Sequence, residues 1–278
     1  MWDCLLDALL DSLKPLPYLL VTFLILELIE HKIKYKKIFR KKRRLMPVVG
    51  GALGALPQCG ISAMAANLFS SHLITVGTLI AIFLSTSDEM LPIMLGEQVE
   101  ISLILKTVGL KVLIGIIVGL IADFAWRRKN KDKAEPDIAH FCEGEHCHCE
   151  KNGIIISALL HTLKTFLFVL AANMLIGIII FLVGEENIAN ILLGKDFWVV
   201  LLAALIGFIP NCAGSIIVTE LYLSGLLSFG SMMAGLLTGS GIGWLLLVKN
   251  NKNHKENAMI LAIIYIVGVI FGSILNLF

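Results

Sequence analysis

The chain has 278 residues, of which 57% are hydrophobic and 16% charged. Soluble domains average about 45–50% apolar and about 25% charged residues, so a soluble core of this size could not hide the surplus, and lipid must be the solvent. That excludes a soluble enzyme, a nucleic-acid-binding protein and a disordered scaffold. The formal net charge of +2 matters less than where the charges sit.

The N-terminal stretch carries Asp3, Asp7 and Asp11 without a basic n-region, and it reads as an external amphipathic lead-in rather than a cleaved signal peptide. Apolar runs follow at about 16–30, 46–95, 101–125, 155–183, 197–248 and 258–277. The runs 101–125 and 258–277 are each long enough for one crossing, which needs about 20 apolar residues. Of the 23 Lys and Arg residues, nine fall between Lys32 and Arg44, six between Arg127 and Lys151, and three between Lys249 and Lys255. Basic loops stay in the cytoplasm, which places all three clusters inside. The loops Gly96–Glu100 and Gly184–Asp196 then face outward, in keeping with Glu97, Glu100, Glu185, Glu186 and Asp196. Both termini are expected outside.

The run Pro57-Gln58-Cys59-Gly60-Ile61-Ser62 recurs 153 residues later as Pro210-Asn211-Cys212-Ala213-Gly214-Ser215. The same offset, without a gap, pairs Gly54 with Gly207, Gly77 with Gly230, Ala81 with Ala234 and Ser87 with Ser240. Matched Pro, Cys and Gly positions are not apolar bulk, so the chain reads as a duplication. The basic loop after the first helix of one copy is inside, whereas its counterpart Gly184–Asp196 is acidic and outside. The copies are therefore expected to be inverted. This is the architecture of many secondary transporters, with the cargo site near the midplane where the copies meet. The expected fold is an all-α polytopic membrane protein with two inverted-topology repeats of about five helical segments each. Repeat one occupies 1–125, a cytoplasmic linker 126–153 and repeat two 154–278.

Segments 46–56 and 61–70 are each too short to span, and Pro57 with Gly60 separates them by removing a backbone donor and relaxing the dihedrals. Charge parity and shortness favour a re-entrant hairpin, and the same holds for 197–209 and 213–224 around Pro210. A second break is expected at Ser85-Thr86-Ser87-Asp88-Glu89, and its partner at Thr238-Gly239-Ser240-Gly241-Ile242-Gly243. Irregular backbone at membrane depth persists only where protein or a water-filled cavity satisfies it. The paired breaks therefore describe a binding site.

Candidate site residues follow from these breaks. Cys59 and Cys212 sit in the duplicated hairpin, each behind an amide (Gln58, Asn211) and three residues before a hydroxyl (Ser62, Ser215). Thiolates suit soft ions, and amide and hydroxyl oxygens suit harder ones. Ser85, Thr86, Ser87, Thr238 and Ser240 contribute hydroxyls. Asp88 and Glu89 are intramembrane carboxylates, costly groups that mark function by default. The structural alternative for them is a buried ion pair with Lys106 or Lys111. Glu220 aligns with Asn67, a divergence between copies that would make coupling asymmetric.

The linker holds His140, Cys142, His146, Cys147, His148 and Cys149. Imidazole and thiolate ligands at this density suit Zn, Cu, Cd and similar ions, although the spacing matches no closed zinc module. Cytoplasmic cysteines stay reduced and are available to ligate. No obligatory cofactor is implied beyond a transition-metal ion held there. The Gly-rich helix 225–248 can pack closely against another helix, within or between chains, which leaves homo-oligomerisation open.

The pair Pro57-Gln58-Cys59-Gly60 and Pro210-Asn211-Cys212-Ala213, the His/Cys-rich middle loop and the five-plus-five layout resemble the ten-transmembrane heavy-metal exporters. That family is also described as arsenic-efflux permease-like proteins or manganese transporters. The resemblance runs from about Leu9 to Phe278. It implies export of a metal or metalloid across a prokaryotic cell membrane. The residues support the same class: a secondary transporter for Mn, another divalent heavy metal or arsenite, with a carboxylate exchanging protons. No G-x-x-x-x-G-K-[ST] is present, so ATP coupling would need another subunit. One alternative is a carrier of small organic anions, drawn by helix N-termini at the breaks, with the loop as metal sensor. Another is a membrane thiol oxidoreductase using Cys59 and Cys212.

Overall fold

The computed structural model describes residues 16–17, 20–21, 24, 45–56, 59–87, 90–129, 159–160, 162–168, 170–171, 174, 178, 197–210 and 212–277. Among these residues ten helices are defined from end to end. The first five are α1 (Met46–Gly54), α2 (Cys59–Ser70), α3 (Val76–Ser85), α4 (Met90–Gly96) and α5 (Ile101–Lys129). The second five are α6 (Phe197–Gly207), α7 (Ala213–Leu223), α8 (Phe229–Thr238), α9 (Gly243–Asn250) and α10 (His254–Leu275). The helices of the second set begin within two residues of 153 positions after those of the first, and α3 and α8 match at both ends. The linker 126–153 lies outside the described residues beyond Lys129.

Among the described residues four stretches are long and apolar enough to cross a membrane: Val76–Gly96, Ile101–Trp126, Phe229–Asn250 and His254–Leu275. Two of these crossings are composite, since α3 with α4 and α8 with α9 each contain a break. The helices before them, α6 and α7, are apolar but too short to span.

The packing has a centre and a rim. Every residue of α3 is buried, as is α8 from Gly230 onward. Around α3 pack α1, α2 and α5, and around α8 pack α6, α7 and α10. On α5 the exposed residues Ile101, Leu105, Leu113, Ile117, Leu120, Ile121 and Phe124 lie along one side of the helix, the broad stripe that one helical face presents. The opposite face holds Ile104, Thr107, Lys111, Ile114 and Ala122. An apolar outer face over a tight interior is what lipid exposure demands.

Where α3 and α5 cross at Gly77 and Gly119 there is no room for a larger side chain. A Cβ on Gly77 would fall on the Gly119 carbonyl, and one on Gly230 would fall on the Gly272 carbonyl at the same point between α8 and α10. Small residues let backbones approach without a hydrophobic drive in lipid. Each contact is fastened at the helix start. Thr75 caps α3, its hydroxyl accepting from Thr78 N and donating to Asp123 Oδ2 at 2.7 Å, while Gly77 N donates to Asp123 Oδ1 at 2.8 Å. Ser228 caps α8 and donates to Asn276 Oδ1 at 2.6 Å.

Contacts between the two sets are reciprocal. Helix α2 packs on α9, and α7, the counterpart of α2, packs on α4, the counterpart of α9. Helix α3 also touches α8 and α10.

Candidate functional site

The breaks in the two central helices converge. Helix α3 ends at Ser85, with Thr86 as its C-cap in an extended conformation, and α8 ends at Thr238, with Gly239 in the same role. The last carbonyls of a helix have no partner in the helix and carry the negative end of its dipole. Lys111, reaching in from α5 and only 1% exposed, donates from Nζ to Thr86 O and to Leu236 O, the latter at 2.8 Å. One side chain thus bonds the C-terminal turns of both broken helices.

The hydroxyls at the first break are turned onto their own backbone. Ser85 Oγ donates to Ala81 O at 2.7 Å, Thr86 Oγ1 to Ile82 O at 2.7 Å and Ser87 Oγ to Ser85 O at 3.2 Å. At the second break Thr238 Oγ1 donates to Ala204 O at 2.7 Å, which ties α8 to α6. These three residues and Thr238 are buried, and they present carbonyls and hydroxyl lone pairs rather than O–H groups. Ser240 differs, for its Oγ is buried with no hydrogen-bond partner.

The first helix of each set docks onto the break of that set through one glycine. A Cβ on Gly54, at the end of α1, would overlap Ser85 Oγ, and a Cβ on Gly207, at the end of α6, would overlap Thr238 Oγ1. Ser62 near the start of α2 is fully buried. It lies against Gly243 at the start of α9, where a Cβ would come within 2.8 Å of Ser62 Cβ and 2.9 Å of Phe83 Cε1. Trp244 Nε1 donates to Phe208 O at 2.9 Å and holds the same helix start to the α6–α7 turn.

Of the residues expected at a site, Ser62, Ser85, Thr86, Ser87, Thr238 and Ser240 therefore belong to one buried junction between the sets. Cys212 and Ser215 are also buried, at the start of α7, where Ser215 Oγ donates to Cys212 O at 2.8 Å. Asn67 is buried farther along α2, accepting from Asn250 Nδ2 at 2.6 Å, with its own Nδ2 unpaired. Glu220 is exposed near the far end of α7 and does not join them. Gln58, Asp88, Glu89, Asn211, the Cys59 side chain and the loop residues His140, Cys142, His146, Cys147, His148 and Cys149 lie outside the described residues. Among the described residues no three His, Cys, Asp or Glu side chains gather as a metal group.

Lys111 enters the sequence reading only as a partner for Asp88 or Glu89. A stronger signal was available there: a cation well inside an apolar span of 26 residues, a turn and a half beyond Lys106, carries the same cost as a carboxylate. The fastening residues Asp123 and Asn276 lie at the ends of their spans, where polar residues are ordinary, and nothing local marks them.

Apolar helices, two of them broken, that meet around buried polar groups define a multi-pass helical membrane protein. The family model described as "Putative, 10TM heavy-metal exporter" (ArsP_2) matches residues 3–189 and 167–278, and the chain belongs to that family. No curated protein and no solved structure matches it.

Proposed function

We propose that this protein is a secondary transporter that exports a heavy-metal or metalloid ion, taking its cargo where the two helix breaks meet. The observation that carries the reading is the bridge by Lys111 between Thr86 O and Leu236 O. It brings together, inside one membrane protein, the irregular backbone of both sets. Membership of a heavy-metal exporter family supplies the class of cargo. Ser62, Cys212, Ser215 and Ser240 offer oxygen and sulfur donors near the junction. Gln58, Cys59, Asp88, Glu89 and Asn211 complete the ligand set in this reading, with a carboxylate exchanging protons against the cargo. Residues His140–Cys149 collect the ion on the cytoplasmic side.

The same reading makes the two sets inverted copies and α1–α2 a re-entrant hairpin. Its support is the bond between Asn67 and Asn250. Asn250 ends α9 beside Lys249, Lys252 and Lys255, a cytoplasmic end by the charge rule. Asn67 near the end of α2 must then lie on that side too, the side from which α1 starts after Lys32–Arg44. A segment that enters and leaves on one side does not cross. In a parallel duplication Asn67 and Asn250 would stand on opposite sides of a core about 30 Å thick.

The organic-anion alternative draws on Lys111 as a counter-ion. Both of its described hydrogen-bond partners are carbonyls, the surroundings that suit a cation, and this favours the metal. The test is the element-resolved metal content of cells expressing the protein after exposure to Mn, Zn, Cd, Cu, Co and arsenite, beside Asp88→Asn and Glu89→Gln. Selective depletion of one element, lost in the variants, is the expected result. Unchanged content for every element would overturn it in favour of an organic cargo.

A further inference from the structure

The junction is built to hold a positive charge. Helices α3 and α8 both end at it, and each C-terminus carries roughly half a negative charge. Two such ends together amount to about one unit of negative potential, and one ammonium bonds both. Thr86 O and Leu236 O, one from each set, both accept from Lys111 Nζ. The position 153 residues after Lys111 is Ile264, buried and apolar. Among the described residues, the duplication therefore supplies two helix ends, and the cation that bonds both comes from the first set.

A cargo cation bound between those ends would meet the same carbonyls. It would compete with the ammonium for them. Lysine suits that contest, being a compact charge on a flexible four-carbon stem that can withdraw and return.

We propose that Lys111 is a resident cation: its ammonium takes the place of the metal in the emptied carrier, is displaced when cargo binds, and returns when cargo leaves. This rests on the reading of the junction as the site of cation export. Its consequence is kinetic. An emptied site with two uncompensated helix ends is costly to carry through a low-dielectric membrane, so the ammonium is what lets the empty carrier reset. The loaded carrier needs no such help, because the cargo supplies the charge.

Net efflux requires the empty carrier to return, whereas exchange of tracer with equal metal on both sides does not. Full-length protein in proteoliposomes would be assayed in both modes with Zn2+, Cd2+ and Mn2+ as free tracer ions. In Lys111→Gln, net efflux is expected to fall roughly tenfold or more while exchange stays within about threefold of wild type. Lys111→Arg, which keeps the charge, should retain net efflux. Equal loss of both modes in Lys111→Gln would overturn the proposal, as would undiminished net efflux.

A second measurement does not depend on the variant folding. Wild-type protein is treated with a membrane-permeant amine-acylating reagent, and the Lys111 peptide is quantified by mass spectrometry. Saturating metal should raise acylation at Lys111 about threefold or more, because displacement frees the amine; unchanged or lower acylation would refute displacement. If wild type moves none of the three ions in either mode, the reading of the junction as a site for these divalent cations fails and takes this proposal with it. That outcome is distinct from a wild type that transports while Lys111→Gln breaks the expected split.

Discussion

Asp123 offers the sharpest test of how the central helix is held. Its carboxylate is 7% exposed and accepts from Thr75 Oγ1 at 2.7 Å and from Gly77 N at 2.8 Å. It therefore sits on the positive end of α3 and locks it to α5. Hydrogen bonds to a charged group contribute about 1.5–3 kcal/mol each. Asp123→Ala removes two and strands the buried Gly77 N–H, so a loss of about 3–5 kcal/mol is expected. Asp123→Asn keeps the shape and one carbonyl oxygen but loses the charge at the helix end, for about 1 kcal/mol. The second set shows that an amide can serve at the equivalent position, since Ser228 Oγ donates to Asn276 Oδ1 there. Thermal unfolding of detergent-solubilised protein, followed by tryptophan fluorescence, measures both; each kcal/mol should lower Tm by roughly 2–4 °C at this chain length. An Asp123→Ala variant within about 0.5 kcal/mol of wild type would refute the anchoring role. Equal losses for Ala and Asn would show that charge, and not the shape of the acceptor, does the holding.

Other substitutions probe separate joints. Gly54→Val drives a side chain into Ser85 Oγ and the Ile82 backbone and should cost about 3 kcal/mol or more, read as lost monodisperse protein on size exclusion. His72 stands at φ 56 after α2 where its counterpart Gly225 has φ 74; His72→Gly should stabilise by about 1 kcal/mol, seen as a higher Tm. Asn250→Ala leaves the Asn67 amide buried with neither end paired and should cost about 1–3 kcal/mol, whereas Asn67→Leu with Asn250→Leu should be nearly neutral. A double-mutant cycle checks that non-additivity. Replacing His140, Cys142, His146, Cys147, His148 and Cys149 by Ala should raise the half-saturating metal concentration for efflux roughly tenfold without lowering the maximal rate, measured in inverted vesicles.

The sequence by itself determined that this chain lives in lipid, because 57% apolar residues exceed what a soluble core can bury. It also determined where the helices stop. The run Ser85–Ser87 and the run Thr238–Gly243 act on their own backbone, within a turn or two, so their effect needs no partner to be legible, whereas Gly60, expected to separate two helices, lies inside α2. The constant spacing of Pro57 and Pro210 anticipated the matching helix sets for the same reason, since spacing is a property of the chain alone. Only the tertiary structure decided what the breaks face. The hydroxyls of Ser85, Thr86 and Ser87 read in sequence as oxygen ligands, and in the fold Ser85 and Thr86 donate to carbonyls one turn back while Ser87 donates to Ser85 O. Glu220 reads as an intramembrane carboxylate, but the face of α7 that packs on α8 and α4 leaves it exposed. Lys111 meets a carbonyl 125 residues away in sequence. Such a pairing is set by how α5 and α8 pack around α3, and periodicity along one helix carries no information about the helix across from it.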